Sequence, residues 1–169
     1  MTGRKRNLAR GFVGGAAGLV AMQLVDRLAR PFVKPRAAKP TDVFESERTI
    51  SPFGALHHPD EGATDAIARI AFAKLVGREP APRVKQALSL AVHVVYGLAV
   101  GAAYGAARPR SRHPIRDGVL FGALLWLLGD ELATSLLGLS DKPTMYSASR
   151  HAKSLAEHVG YGVALGAIV

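Results

Sequence analysis

Long apolar runs, separated by basic or proline-rich connections, organise this chain. Residues 86–107 are 22 positions without a formal charge, and residues 118–140 are 23 positions broken only by Asp130 and Glu131. A third run, the 15 residues 11–25, follows a start that carries Arg4, Lys5, Arg6 and Arg10. Roughly 20 apolar residues in a helix cross a bilayer. The pattern predicts spanning helices over about 8–29 and 84–107, a third through the run 118–140, and a fourth over about 148–169. The fourth starts polar, with Arg150, His151, Lys153, Glu157 and His158, and is expected to be stable only when packed. Pro31, Pro35 and Pro40 end the first helix, because proline lacks the amide hydrogen that continues it. Residues 64–76 carry Ile67, Ile70, Ala71 and Leu75 at helical spacing, with Arg69 and Lys74 off that stripe. This predicts a short amphipathic helix, begun by Gly62 or Thr64 and stopped by Gly77, at the bilayer surface or against the bundle.

The apolar runs repeat. Residues 85–102 and 150–167 agree at 11 of 18 positions at an offset of 65, including His93/His158, Tyr96/Tyr161, Gly97/Gly162 and Gly101/Gly166. Residues 14–29 align with 118–133 at an offset of 104 through Gly14/Gly118, Gly18/Gly122, Leu24/Leu128, Asp26/Asp130, Leu28/Leu132 and Ala29/Ala133. A fixed period sets architecture before any local feature does. The fold class expected is all-α: a four-helix transmembrane bundle from two tandem two-helix repeats, plus one short amphipathic helix in the first connection. Residues 1–169 then form a single membrane domain, with repeat 1 over 8–107 and repeat 2 over 115–169. Asp26 and His93 are 67 residues apart, Asp130 and His158 only 28. The difference, 67 − 28 = 39, is an insertion near 41–80.

Composition alone leaves the class open, with 49% hydrophobic residues, 21% charged residues and a mean hydropathy of +0.14. The absence of cysteine removes disulfides and thiolate metal sites. A net charge of +9 raises the question of nucleic acid. No recognition motif accompanies it, and the basic residues flank apolar runs, so the expected partner is the lipid bilayer and no nucleic acid. Arg108, Arg110, Arg112 and Arg116 fill one short connection. Short arginine-rich loops stay cytoplasmic. Both termini are therefore expected inside, with the first and third connections outside. The basic start and short apolar core resemble a signal peptide, but no clear cleavage site follows and the repeat match argues for retention.

The repeat also positions the polar residues. Gly14 and Gly18, Gly97 and Gly101, Gly118 and Gly122, and Gly162 and Gly166 are small-x3-small pairs that allow close helix packing. Homodimerisation through one such face, or docking of another membrane protein, stays open. Counting along the helices places Asp26, His93, Asp130 and His158 in the outer half, with Glu131 and Glu157 beside two of them, Tyr96 and Tyr161 one turn deeper. Ionisable groups at that depth are expected to turn inward and pair. An Asp–His hydrogen bond in each copy would pin the helices in register. A proton or cation path is the alternative, because buried histidines and carboxylates titrate near working pH. A metal site stays undecided, since Glu157 and His158 are adjacent and diverge by about 100° on a helix. No catalytic motif and no cofactor are expected. His57, His58, Asp60 and Glu61 are metal-ligand types, but in a proline-containing stretch they read as a loop leading into a helix.

Leu90-x-x-His93-x-x-Tyr96-Gly97, then Phe121-Gly122-x-x-x-Trp126-x-x-x-Asp130-Glu131-Leu132-Ala133 with Leu137-Gly138-Leu139, then His151-x-x-x-Leu155-x-x-His158-x-x-Tyr161-Gly162, resemble small bacterial inner-membrane proteins of unknown function of the YagU type. The resemblance covers most of 8–30 and 84–169 but not the insertion. It implies a multi-pass inner-membrane protein and supplies no reaction and no site residue.

Overall fold

The computed structural model describes residues 3–33, 48–59, 61–107 and 112–169. Pro35, Pro40, Asp60, Arg108 and Arg110, used above, lie outside the described residues. Among those described, the chain is helical and has no strand. Among the described residues five helices carry the fold: α1 (Gly3–Ala29), α2 (Ala63–Val76), α3 (Pro82–Ala107), α4 and α5 (Ala148–Ile168). Helix α4 begins as Pro114–Leu125, widens into a π-helical stretch at Trp126–Ala133, and finishes at Thr134–Leu136. Three segments, Gly3–Phe32, Pro82–Ala107 and Pro114–Leu136, are long and apolar enough to cross a membrane. The polar first half of α5 keeps it out of that set.

The chain divides into two compact units. The first takes the described residues of Met1–Pro35, Val94–Leu127 and Ser147–Val169. Its helices meet through glycine. A methyl group on Gly15 would lie 2.8 Å from the Gly97 carbonyl oxygen, and one on Gly11 would lie 2.9 Å from the Gly105 Cα. On α4, a methyl group at Gly118 or Gly122 would lie 2.2 Å from the carbonyl oxygen of Gly162 or His158. Gly14 and Gly18 face α5 instead, against Leu165 and the Tyr161 ring. Met22, Tyr161 and Leu165 form the buried apolar centre, and the Tyr104 and Phe121 rings, their centroids 4.5 Å apart, pack beside it. The Tyr161 hydroxyl donates to the Gly97 carbonyl at 2.5 Å. At one end of this unit Arg10 donates to the Ile168 carbonyl, so the start of α1 and the end of α5 adjoin.

The side chains that remain exposed are large and apolar. Phe12, Val13, Val20 and Leu24 on α1, and Leu120 and Leu124 on α4, are each at least half exposed. Small residues inside and large ones outside is compatible with helices in lipid, where apolar side chains gain nothing from being hidden.

The second unit takes the described residues of Arg36–His93 and Leu128–Tyr146. Helix α2 ends at Gly77, whose φ of 77° is the left-handed conformation that stops a helix. The expected boundaries hold, but its faces differ from expectation. Ala66, Ala68 and Arg69 are buried, while Ile67 and Leu75 are exposed. The arginine is drawn inward by Glu61, and the aliphatic stripe is left outside. Helix α4 closes with Gly138 at φ 73°, and Leu139 N–H returns to the Thr134 carbonyl at 2.8 Å. Backbone bonds from Leu56 and His57 to the Gly138 carbonyl, and from Lys142 to the Arg48 carbonyl, join the two loops of this unit.

Candidate functional site

The expected polar centre is divided between the units. Asp26, Glu157 and His158 belong to the first, and His93, Asp130 and Glu131 to the second. None of the six is fully buried; Asp130 is exposed and the others are half-buried.

In the first unit the partners of Asp26 are cations, not histidine. Arg30 donates Nε to Asp26 at 2.7 Å, and Lys153 Nζ lies 2.6 Å from its other carboxylate oxygen. Lys153 also bridges to Glu157 at 2.5 Å. The Nδ1 of His158 lies 2.8 Å from the Ser154 carbonyl, one turn back on its own helix. Asp26 and His158 thus take partners other than those expected. Arg30 stands four residues after Asp26 and Lys153 four before Glu157, the spacing at which helix side chains meet. A full charge with several donors outcompetes an imidazole for a carboxylate.

A more deeply buried cluster lies in the second unit. Asp141, 1% exposed, is bonded at every polar atom. Its carboxylate receives Arg48 Nη2 at 3.1 Å on one oxygen and His57 Nε2 at 3.1 Å on the other. Its amide donates to the Tyr146 hydroxyl, and its carbonyl accepts from Ser135 Oγ at 3.0 Å. The other His57 nitrogen, Nδ1, faces the Gly138 carbonyl at 2.9 Å. Nearby, Arg69 holds both oxygens of Glu61 at 2.9–3.1 Å and donates to the Leu56 carbonyl at 2.6 Å. Lys85 Nζ and the His58 amide complete the Glu61 shell. Burial opposes the Glu61 charge, but the Arg69 hydrogen bonds, the His58 amide and the Arg69 charge outweigh it and hold the carboxyl at about 2.

His57 and Glu61 were legible only as residues of a loop. The signal that locates them is the pairing of two glycine turns: a methyl group on Gly138 would lie 2.2 Å from the Gly54 carbonyl oxygen. Gly11, Gly15 and Gly105 were also missed as packing residues, although the doubled spacing of GFVGGAAG offers two glycine stripes on α1.

Each carboxylate in these clusters faces at least one cationic side chain, which favours rigidity over reactivity. Ser135 is buried and bonded to a backbone carbonyl, so it offers no nucleophile. Among the described residues, no group of three His, Asp or Glu side chains could hold a metal ion. The fold and these clusters define an all-helical protein with three helices able to cross a membrane. No family model, no curated protein and no solved structure matches the chain.

Proposed function

We propose that this chain is a multi-pass protein of the bacterial inner membrane, with both termini cytoplasmic, whose ion-paired clusters fix the register of its helices and outer loops. One observation carries this reading. The 18-residue apolar windows of the three long helices are only 28%, 11% and 11% buried, and what they bury is chiefly glycine. A water-soluble chain of this length hides its leucines and valines; here they are the surface. The resemblance to YagU-type proteins points the same way. The adjoining of the start of α1 with the end of α5, beside Arg4, Lys5, Arg6 and Arg116, supports termini on one basic, cytoplasmic side.

The tandem-hairpin reading has its own support. Gly15 meets Gly97 and Gly101 as Gly118 meets Gly162 and Gly166, which relates α1 to α4 by 118 − 15 = 103. The Gly11 carbonyl lies against Gly101 as the Pro114 carbonyl lies against Gly166, again 114 − 11 = 103. Past the glycines the sequence match Asp26/Asp130 needs 104. The π-helical stretch Trp126–Ala133 begins between the glycines and Asp130, and a π turn carries one extra residue in an otherwise α-helical path. The glycine register read from Gly14/Gly118 is thus shifted by one, and α4 is the copy with the insertion.

The roles assigned are structural. Asp26, Lys153 and Glu157 tie α1 to α5, and Asp141 with Arg48 and His57 ties the two loops of the second unit. The test is proton flux in liposomes for Asp26→Asn and Glu157→Gln. The expected result is a lower melting temperature with unchanged flux. Flux that exists in the parent and disappears in variants that still fold would replace this reading with proton or cation permeation.

A further inference from the structure

We infer that the turn Ser51–Gly54 is a lipid anchor, holding Phe53 in the interfacial zone of the outer leaflet. The inference rests on the membrane reading above and adds a contact site outside the spanning helices.

Phe53 is 69% exposed, and the turn presents it rigidly. Gly54 N–H returns to the Ser51 carbonyl at 3.2 Å, and Phe53 N–H donates to Ser51 Oγ at 3.1 Å. Pro52 occupies the second position of this four-residue turn, where its fixed φ is favoured. Ile50 and Leu56, on either side, are 46% and 43% exposed. An aromatic ring held out by a braced turn loses little conformational entropy when something covers it.

The depth of the turn says what covers it. Pro114–Leu136 has 23 residues, at most about 34 Å at the α-helical 1.5 Å per residue, the wider π-helical stretch rising somewhat less. A hydrocarbon core is about 30 Å thick. With Pro114 at the cytoplasmic edge, Leu136 reaches the outer edge and Gly138 enters the headgroup zone. Gly54 is in backbone contact with Gly138, and Leu56 N–H donates to the Gly138 carbonyl at 2.8 Å. The turn is therefore fastened at the level where apolar chains meet headgroups, the level that aromatic side chains favour. The exposed residues Leu128, Leu132 and Leu136 on α4 lead up to it within the same unit. The occupant that this continuity selects is the lipid that surrounds those leucines.

Trp126 is the chain's single tryptophan, which makes the test direct. Full-length protein carrying Trp126→Phe and Phe53→Trp is reconstituted in vesicles brominated at shallow or deep acyl positions. The expected result is at least a twofold loss of emission with shallow bromine, a smaller loss with deep bromine, and weak quenching by acrylamide. Strong acrylamide quenching without a bromine effect overturns the anchor. Emission that shifts when the protein is diluted with lipid, and ignores bromine depth, overturns it in favour of a second copy of the chain. The parent protein separates the two readings: Trp126, near the middle of its span, is quenched by deep bromine if the helices cross the bilayer. Quenching of Trp126 without quenching at position 53 refutes the anchor alone, and no quenching of Trp126 refutes the membrane reading with it.

Discussion

Substituting Gly118 by alanine is the sharpest probe of glycine packing. The new methyl group would lie 2.2 Å from the Gly162 carbonyl oxygen and 2.9 Å from its carbon. A carbon and a carbonyl oxygen rest about 3.3 Å apart, so α4 and α5 must separate by about 1 Å. Both obstacles are backbone, so no side chain can swing aside. Separation also loosens the contacts at Gly122 and Gly166 on the same seam. Overpacking of this kind costs about 1–3 kcal/mol, against at most about 1 kcal/mol gained because alanine is the better helix former. Gly118→Ala should therefore lose roughly 1–2 kcal/mol in denaturant titration or thermal unfolding in detergent micelles, followed by circular dichroism. Gly3→Ala is the control, because nothing lies within 4 Å of its added methyl. Equal stability of the two variants would refute the packing argument.

Three further outcomes follow from the geometry. Deleting Gly129 should convert Trp126–Ala133 to plain α-helix and leave the fold intact, whereas deleting Leu120 should unfold it by rotating Gly118 away from Gly122; amide exchange across α4 separates the cases. Asp141→Asn strands the Arg48 and His57 donors, and breaking a buried pair costs about 3–5 kcal/mol; proteolysis within 48–59 and 134–146 should quicken. Glu61 is ionised far below its ordinary 4.5, at about 2, so its contribution is complete above pH 4.5 and is lost as pH falls toward 2. At about 1.4 kcal/mol per pH unit that is roughly 3 kcal/mol. Glu61→Gln should flatten acid unfolding between those two pH values, and an unchanged acid limb would show that the Arg69 pairing does not stabilise the fold.

Much of the helical plan was legible. Apolar runs marked α1, α3 and α4, and Gly77 marked the end of α2 at its observed place. What the sequence hid depends on contacts between distant segments. Matching depths along the helices pair Asp26 with His93 and Asp130 with His158, but depth ignores the nearer cations Arg30 and Lys153 that Asp26 takes. Arg69 lies off the aliphatic stripe, and nothing in the spacing shows that Glu61 turns that face inward. His57 looked like an ordinary loop residue because its acceptors, Gly138 and Asp141, come from more than 80 positions away. The π turn left no compositional mark; only the change from 103 to 104 between glycine contacts and acidic residues discloses it.

Fractionation of cells expressing the native chain, followed by alkaline carbonate washing of the membranes, addresses membrane insertion most directly. Helices with glycine inside and leucine outside should keep the protein in the washed membrane pellet until detergent is added. Recovery as a stable, folded protein in the detergent-free supernatant would contradict it.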